Sequence, residues 1–394
     1  MIHEVAVGWV ERLLGIVERG WPELAEGYLE VPLEVYSDEA IAARDRALFE
    51  TSPLALLASS EIAKPYDYHV RTAVGRSLLF TRDGEGRAHA FLNYCRHRGA
   101  EPARGCGSAR VFLCPYHGWS YDVKGRLTGM PLRDRFADLD LERMGLVELP
   151  VEERHGFVWV VLRPGHPIDV AKHLGALDAE LASIGCEAMT YLNALPEEPL
   201  ATNWKSVTEG LLEGLHVPFV HPGTFATNPQ ALDLDLGFFE SIGPHVRWVL
   251  PMFTRADVDR IRAMPKSEWK PKELVACVWW ISPGLLLAHE YYGLIYADLS
   301  PGEKPMEAVF RYGWLTPFLE APPELPQPHD MAARAAVAVR QDKPVWEGCG
   351  RGLRHGAHAQ VVIGRNEPGL KLMHESVARQ TGYTGLTLRD AAAR

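Results

Sequence analysis

Residues 93–122 read NYCRHRGAEPARGCGSARVFLCPYHGWSYD, and this stretch contains two pairs of metal-binding side chains. One residue separates Cys95 from His97, two residues separate Cys114 from His117, and sixteen residues lie between the pairs. Each pair offers one soft thiolate and one imidazole, and both ligand types bind transition metals. The repeated arrangement therefore indicates a metal centre that is held by both halves of the stretch.

Two kinds of metal centre accept two Cys and two His ligands. One is a structural zinc site, and the other is a Rieske cluster, in which two Cys bind one iron and two His bind the other. Gly99 and Gly118 follow the histidines, and glycine lets the backbone come close enough to donate N–H groups to the cluster sulfurs. The pattern CRHRGA followed by CPYHGW resembles the Rieske ligand pattern residue for residue, including these glycines and Trp119.

The two loops resemble one class of Rieske protein more than another. Rieske proteins of respiratory complexes carry a disulfide that joins the loops, and the corresponding positions here are Ala100 and Tyr116. Cys106 does not stand at such a position. The resemblance is therefore to the oxygenase and ferredoxin type, and it implies a [2Fe-2S] cluster. The ligands that it implies are Cys95, His97, Cys114 and His117.

The composition is that of a globular protein that is long for one hydrophobic core. A chain of 394 residues predicts two domains. The formal net charge of −10 and the pI near 5.9 argue against nucleic acid or an anionic membrane as partners, because both require basic surfaces. Six cysteines are too few for a disulfide scaffold, so those outside the paired motif are expected to be free thiols.

The N-terminal residues do not have the pattern of a signal peptide. Glu4, Glu11 and Arg12 interrupt the apolar residues, whereas a signal peptide has a basic start and an unbroken apolar stretch. Helical spacing of the apolar residues predicts an amphipathic helix instead. The most apolar later stretch, residues 274–299, is broken by Pro283-Gly284 and predicts two buried strands around a turn. We therefore expect a cytoplasmic protein.

Three segments with different residue patterns predict an α+β protein with two domains. Residues 1–45 are predicted as an N-terminal helical segment. Residues 46–165 contain short β-type runs between turn signals and predict a small all-β domain with both Cys/His pairs on loops. Residues 166–394 predict a larger mixed domain, with a helix over 199–216 and a strand over 285–299.

A second motif stands in the larger domain, at residues 203–221, which read NWKSVTEGLLEGLHVPFVH. His216 and His221 are five residues apart and do not share one face of a regular helix, and Pro218 is the kind of break that brings both imidazoles to one metal. Taken alone, two histidines near a helix end are ordinary. Together with the Rieske motif, the segment resembles the catalytic domain of Rieske non-haem iron oxygenases, the ring-hydroxylating α-subunit family.

This resemblance implies a mononuclear Fe(II) site with two His ligands and one acid, and His216 and His221 match the family's histidines. The family's acid lies in a late Q/E-D-x-x-x-x-E stretch, which residues 341–347 match, so that Asp342 is the predicted ligand. The competing late acids are Asp330, Glu347 and Asp390.

The resemblance also implies a role for Glu213, which stands three residues before the first histidine. In the family this acid, usually Asp, lies between the Rieske cluster of one subunit and the iron of its neighbour, and it connects the two redox sites. The chain departs from the family at Gly210, where Asn is frequent, and at Leu215, where Tyr is common. Neither departure changes a metal ligand.

The family's reaction supplies the expected partners and assembly. A reductase, alone or through a ferredoxin, passes electrons from NAD(P)H to the Rieske cluster, and the mononuclear iron activates O2 to oxygenate a small organic substrate. The catalytic domain is expected to have a helix-grip fold, an antiparallel sheet with helices around the iron. Because the donor cluster belongs to the neighbouring subunit, a homotrimer is expected, and a small β-subunit is left open. Monohydroxylation, dihydroxylation and oxidative demethylation share these centres and are not separated.

Aromatic residues of the larger domain carry the substrate prediction. An apolar pocket suits an aromatic or other apolar substrate, as in aromatic hydrocarbon catabolism, and this is the first prediction. The same rings can form a cage for a quaternary ammonium group, and the late stretch QDKPVWEGCGRGLRHG also resembles the choline and carnitine oxygenase branch. A quaternary ammonium or N- or O-methyl substrate is therefore the alternative. The predicted pocket residues are Phe219, Phe225, Trp248, Trp279 and Tyr291.

Two other protein classes are weighed against the oxygenase. An electron-transfer protein whose second domain has lost its iron would lack one of the three predicted ligands, and all three are present. A zinc-stabilised binding module would be colourless, whereas a Rieske protein is red-brown.

Overall fold

The structure is a computed structural model, and the chain forms two compact units. The described residues are 3–136, 138–223, 236–290, 292–356 and 359–390. The smaller unit consists of Phe49–His173 and Cys186–Tyr191, and the larger unit of Met1–Leu48, Leu174–Gly185 and Leu192–Arg394. The domain boundaries near residues 45 and 165 stay a prediction. Within the described ranges, no helix is both long and apolar enough to cross a membrane.

Helices and strands are numbered in chain order. The helices are α1 (His3–Arg19), α2 (Glu34–Ser37), α3 (Glu39–Thr51), α4 (Val170–Leu174), α5 (Leu177–Ala182), α6 (Trp204–Leu211), α7 (Val217–Val220), α8 (Val258–Ala263), α9 (Pro271–Leu274), α10 (Pro328–His355) and α11 (Pro368–Thr381). The strands are β1 (Gly27–Pro32), β2 (Leu54–Ala58), β3 (Asp67–Ala73), β4 (Arg76–Arg82), β5 (Ala88–Leu92), β6 (Cys106–Ser108), β7 (Val111–Leu113), β8 (Ser120–Asp122), β9 (Leu127–Gly129), β10 (Glu148–Leu149), β11 (Val151–Arg154), β12 (Phe157–Val160), β13 (Thr190–Leu200), β14 (Phe238–Ile242), β15 (His245–Pro251), β16 (Val275–Ile281), β17 (Leu285–Glu290), β18 (Gly293–Pro301), β19 (Ala308–Thr316), β20 (Gln360–Ile363) and β21 (Thr387–Asp390).

Strands build the smaller unit. They form three sheets with the orders β10-β5-β4-β3-β6, β11-β12-β2 and β7-β8-β9. The strands β2, with the sequence LALLA, and β12, with FVWV, are buried along their whole length, as their apolar side chains require. The hydroxyl of Thr81 is buried as well and donates to the carbonyl oxygen of Val123 at 2.6 Å. The all-β fold predicted for the Cys/His domain is confirmed.

A seven-stranded sheet, β13-β19-β18-β17-β16-β15-β14, forms the centre of the larger unit. Directly opposed residues of antiparallel strands point to the same side, so the register shows which residues share a face. One row of opposed residues consists of Phe239, Trp248, Val278, Ala288, Ile295 and Trp314. The next row on this face consists of Val246, Trp280, Leu286, Ala297 and Tyr312. We call this side of the sheet the inner face.

Helices pack on both sides of this sheet. On the inner face, Met331 of α10 packs against Trp314, and the ring of Trp346, also from α10, lies 5.6 Å from that of Phe310. On the opposite side, α1 packs against β15 and β16. The helix α10 therefore reaches the inner face with the part of the chain that contains the predicted acidic ligand.

Three segments differ from the sequence-based expectation. The predicted helical segment 1–45 contains the strand β1, which pairs with β20 and β21 near the other end of the chain. Residues 285–299 form two strands, β17 and β18, that pair with each other. The helix predicted over 199–216 begins at Trp204, because the side chain of Asn203 accepts a backbone hydrogen bond and caps it. Pairing between strands that are distant in the chain, and capping of a helix end, therefore set the limits of these elements. Hydrophobic periodicity did not set them.

Candidate metal centres

The two Cys/His pairs of the smaller unit lie on loops with the same turn, one between β5 and β6 and the other between β7 and β8. In the first loop, the N–H of Gly99 donates to the carbonyl oxygen of Cys95 at 2.9 Å. In the second, the N–H of Gly118 donates to the carbonyl oxygen of Cys114 at 3.0 Å. The two glycines have φ angles of +79° and +71°, which residues with a Cβ rarely adopt.

The two loops bring their histidines together and bury both cysteines. Cys95 and Cys114 are 3% and 2% exposed and carry free thiols. The rings of His97 and His117 have centroids 4.5 Å apart, and Trp119 stacks on His97 at 4.9 Å. The buried Nδ1 of His97 has no hydrogen-bond partner in the described part of the chain. Because buried polar atoms are normally paired, the free nitrogen and the two free thiols fit a metal cluster bound between the loops.

Tyr121 contacts the first ligand loop from β8. Its hydroxyl oxygen lies 3.2 Å from Sγ of Cys95 and accepts the N–H of Arg96 at 3.0 Å. Burial raises the pKa of Tyr121, and the contact with Cys95 raises it further. A thiolate that is bound to iron has no proton, so the hydroxyl would be the donor to it, and hydrogen bonds to sulfur tune the reduction potential of an iron–sulfur cluster.

The histidine side of this site reaches the surface of the smaller unit. Tyr116 is exposed, and its ring centroid lies 3.8 Å from that of His117. The guanidinium carbon of Arg98 lies 5.1 Å from the centre of the Tyr116 ring. The side of the loops that carries the two histidines is therefore partly exposed on this unit, whereas both cysteines are buried.

His216, His221 and Asp342 form a second cluster, in the larger unit. Their potential ligand atoms all lie within 4.8 Å of one another. Oδ1 of Asp342 is 3.8 Å from Nε2 of His216 and 3.0 Å from Nε2 of His221. His216 lies just before α7, His221 just after it, and Asp342 in the middle of α10. Two imidazoles and one carboxylate are the donor set of non-haem Fe(II) oxygenases, in which the iron keeps open positions.

The other nitrogen of each imidazole is already occupied. Nδ1 of His216 donates to Oε1 of Glu213, which also accepts backbone N–H groups through Oε2. Nδ1 of His221 donates to Oε1 of Gln341 at 2.8 Å. With Nδ1 as the donor, each neutral imidazole has its lone pair on Nε2, and both Nε2 atoms face Asp342, as a metal site requires. Burial lowers the pKa of His221, but hydrogen bonds with Asp342 and Gln341 raise it more, so that it lies above its ordinary value.

Comparison with known proteins identifies the family. Residues 177–382, more than half of the chain, match the ring hydroxylating alpha subunit (catalytic domain) family. The chain belongs to this family. Residues 52–146 match the Rieske [2Fe-2S] domain. The cofactors of the family, a Rieske [2Fe-2S] cluster and a mononuclear non-haem iron, are therefore those of this chain.

Similar proteins include a carnitine monooxygenase oxygenase subunit and a choline monooxygenase. The chain is 30% identical to the carnitine monooxygenase oxygenase subunit of Escherichia coli K12 over 197 residues, which are 49% of this chain and 52% of that protein. It is 31% identical to the chloroplastic choline monooxygenase of Atriplex hortensis over 203 residues, 50% of this chain and 46% of that protein. The match thus spans about half the length of these relatives.

A solved structure shows that the fold is that of Rieske oxygenases. A quaternary ammonium Rieske monooxygenase in complex with L-carnitine superposes with a TM-score of 0.73 at 22% sequence identity. The superposition covers 91% of this chain and 97% of that one. The predicted combination of a Rieske domain with a mixed catalytic domain of helices and antiparallel sheet is therefore confirmed.

The backbone between His216 and His221 differs from the expectation in one detail. Pro218 does not break a helix between them. It is the second residue of α7, where proline is tolerated, and the irregular backbone lies at His221, with φ −118° and ψ 41°. A short helix that begins after His216 and ends before His221 therefore turns both rings toward Asp342.

The family departure at Gly210 has a packing reason. A Cβ at Gly210 would lie 2.4 Å from Nε1 of Trp346, so the position has no space for the Asn that is frequent in the family. Trp346 belongs to the same helix as Asp342. The indole of this chain therefore occupies the space beside the iron site that a larger residue at 210 would use.

The predicted pocket residues are distributed over several parts of the larger unit. Trp248 lies on the inner face, whereas Phe219 is 84% exposed and does not line an enclosed pocket. Trp279 lies on the opposite face, where its Nε1 donates to Glu180 at 3.0 Å. Its neighbour Trp280 takes the inner-face position, because successive strand residues alternate between faces. The remaining candidates, Phe225 and Tyr291, lie outside the described residues.

Sequence reasoning gave no role to several residues around the metal sites. Gln341 was visible as the neighbour of Asp342, but only the structure shows its bond to His221. Tyr121 carried no comparable signal.

A cavity of about 210 Å³ also adjoins the His216 side of the mononuclear site. The acidic residues that line it are Glu209, Glu213, Asp342 and Glu367.

Proposed function

We propose that this chain is the terminal oxygenase component of a Rieske-type oxygenase system that oxygenates a small organic molecule. The observation that carries the proposal is the arrangement of His216, His221 and Asp342, whose ligand atoms lie within 4.8 Å of one another. Glu213 accepts a hydrogen bond from Nδ1 of His216, and Gln341 accepts one from Nδ1 of His221. Such a set binds Fe(II) and leaves positions on the metal for other ligands.

The two cofactors have different ligands in this proposal. The proposed [2Fe-2S] ligands are Cys95, His97, Cys114 and His117. The proposed iron ligands are His216, His221 and Asp342. When bound, the cluster supplies single electrons and the mononuclear iron activates O2.

The side chains around the two metal centres orient the histidine ligands, tune the cluster and connect the two centres. Gln341 fixes the His221 ring by accepting its Nδ1 proton, and Tyr121 donates to Cys95. Glu213 contacts His216 on one side and lines the acidic cavity on the other. We assign to Glu213 the electron bridge between this iron and the cluster of a neighbouring subunit, because a carboxylate in this position can accept hydrogen bonds from histidines on both sides.

For the substrate we propose a quaternary ammonium or N-methyl compound, which is oxygenated once. This proposal is supported by the carnitine and choline monooxygenases among the relatives. Trp248, Trp280 and Trp314 place indoles on the inner face, and indole rings attract ammonium groups. An aromatic or other apolar substrate is the second candidate, because Val278 and Ala288 make the inner face between these indoles apolar.

The proposed partners follow from the family. We propose a reductase that draws on NAD(P)H as the electron source, with a ferredoxin as an optional carrier. A homotrimer is the proposed assembly, since Glu213 needs the cluster of a second subunit, and a small β-subunit stays open. The cytoplasmic location also stays a prediction.

A single-turnover experiment tests the reaction without a known reductase. The protein is reduced anaerobically, freed of reductant, and mixed with O2 and either carnitine, choline or naphthalene. We expect oxygenated product from an ammonium compound, and none from the Asp342→Ala variant, which retains the Rieske cluster. Product from naphthalene alone would overturn the substrate proposal, and equal product from Asp342→Ala would overturn the assigned site.

A further inference from the structure

Glu209 is a carboxylate in a hydrogen-bond network beside the mononuclear site. It is neither a proposed metal ligand nor the proposed electron bridge. It lies on α6, one turn before Glu213, and its side chain is 16% exposed. The hydroxyl of Tyr36 donates to Oε1 of Glu209 at 2.6 Å. Nε2 of His374 donates to the same oxygen at 2.8 Å. Both donors are almost fully buried, at 1% and 2% exposure, so they hold the carboxylate in one orientation.

The two oxygens of Glu209 have different surroundings. Oε1 is occupied by Tyr36 and His374, whereas Oε2 has no hydrogen-bond partner among the residues that the structure describes. Glu209 lines the cavity of about 210 Å³ that His216 and Asp342 also line. Much of the lining is apolar, but the four carboxylates give polar partners to water, and a cavity of this size has room for several water molecules. Oε2 is therefore the oxygen that can exchange protons with cavity water.

The negative charge of the cavity lining favours protonation of its carboxylates. No Lys or Arg is among the described residues that line it. Lys205, the nearest cation along α6, is buried and paired with Asp45 instead. Burial raises the pKa of Glu367, and the negative charges of Glu213 and Glu209 raise it further. The titratable and charged groups around Glu209 are Tyr36, Lys205, Glu213, Asp342, Cys349, Glu367 and His374.

The proposed reaction needs a supply of protons. Insertion of one oxygen atom from O2 into a C–H bond, with the other atom leaving as water, consumes two electrons and two protons. The electrons come from the reductase through the [2Fe-2S] cluster. Dihydroxylation of an aromatic ring has the same requirement. The mononuclear site therefore needs protons whichever substrate is oxygenated.

We propose that Glu209 passes protons from solvent to the mononuclear site through the acidic cavity. Oε2 takes a proton from water on the solvent side, forming an O–H bond, and gives that proton to water beside His216 and Asp342. Glu209 returns to the carboxylate, so it is unchanged after each transfer. Tyr36 and His374 are positioning residues, because their hydrogen bonds to Oε1 favour release of the proton. This inference rests on the proposed oxygenase function.

The test compares Glu209→Gln with Cys349→Ala in the complete metal-loaded protein. Gln keeps an oxygen for Tyr36 and His374 but cannot carry a proton, and Cys349 lines the same cavity without a proposed role. We expect single-turnover product formation to slow about tenfold or more in Glu209→Gln, in the range of lost acid–base catalysis, and to stay unchanged in Cys349→Ala. Small weak acids such as acetic acid should restore the rate of Glu209→Gln.

A measurement without turnover separates proton transfer from a structural role. The Nε2 proton of His374 is buried, yet in the wild type Glu209 connects it to cavity water. Its exchange with solvent, followed by NMR on protein with ¹⁵N-labelled histidine, should slow about tenfold or more in Glu209→Gln, because no group then accepts the proton. The exchange should stay at the wild-type rate in Cys349→Ala.

The possible outcomes are distinct. A slower turnover that weak acids restore, together with slower exchange, supports the relay. A wild-type rate in Glu209→Gln overturns it, as does a lower rate that weak acids do not restore while exchange is unchanged. Failure of the oxygenase proposal would look different, because the wild-type protein itself would then form no product.

Discussion

Replacement of Gly210 by Ala tests how closely the helix before the iron histidines packs on α10. The added Cβ would lie 2.4 Å from Nε1 and 3.3 Å from Cδ1 of Trp346. Trp346 is 4% exposed and packs against Phe310, so its indole cannot turn away freely. Overpacking of this kind costs about 1–3 kcal/mol. A glycine-to-alanine change inside a helix gains about 1 kcal/mol at most, and Gly210 is next to the last residue of α6, where the gain is smaller.

The clash should therefore outweigh the helix propensity. We expect Gly210→Ala to lower the free energy of unfolding by about 1–2 kcal/mol, which for a unit of this size lowers Tm by about 2–8 °C. Calorimetry is the assay, because it measures both Tm and the enthalpy of unfolding. Trp346→Phe and the double variant complete a mutant cycle, in which Phe removes the indole nitrogen that meets the new Cβ.

The cycle has a clear refuting result. We expect Gly210→Ala to cost less in the Trp346→Phe background than in the wild type, since the clash is gone. An unchanged or higher Tm for Gly210→Ala would show that Trp346 leaves room for the added methyl group. Strictly additive effects in the double variant would do so too, because they would show that the two side chains do not interact.

Three further substitutions test the groups that hold the cofactors. Gln341→Leu removes the acceptor of the His221 Nδ1 proton, and iron affinity, measured by dialysis against a chelator, should fall about 10–100-fold. Equal iron retention would mean that Gln341 does not hold the ring. Tyr121→Phe removes the donor to Cys95, so the cluster's reduction potential should fall in a spectroelectrochemical titration at unchanged sulfide content; an equal or higher potential contradicts this role. Glu213→Gln should keep both metal centres and slow oxidation of the cluster in a single turnover, and a wild-type rate would count against the bridge.

Features whose residues are neighbours in the chain could be predicted from the sequence. The paired Cys/His loops and the segment with His216 and His221 are local, and their spacing reflects the geometry of a metal site. Asp342 is distant in the chain and was placed by family resemblance. The structure brings its carboxylate, rather than that of Asp330, Glu347 or Asp390, to within 4.8 Å of both imidazoles.

Features that depend on distant parts of the chain could not be predicted in this way. Tyr36 and His374 meet at Glu209 from positions 173 and 165 residues away. The pairing of β1 with β20 and β21 has the same character. The pocket prediction was limited by strand register, since a shift by one residue reverses the face, and Trp280 rather than Trp279 points inward. No local pattern contains that information.

Metal and sulfide analysis, combined with electron paramagnetic resonance of the reduced protein, tests whether the chain holds two separate metal centres. We expect about three irons and about two acid-labile sulfides per chain, with the rhombic signal of a reduced Rieske cluster. In Asp342→Ala the iron content should fall to about two per chain while sulfide and signal stay the same. Zinc without sulfide, or loss of the Rieske signal in Asp342→Ala, would contradict the assignment of two separate metal centres.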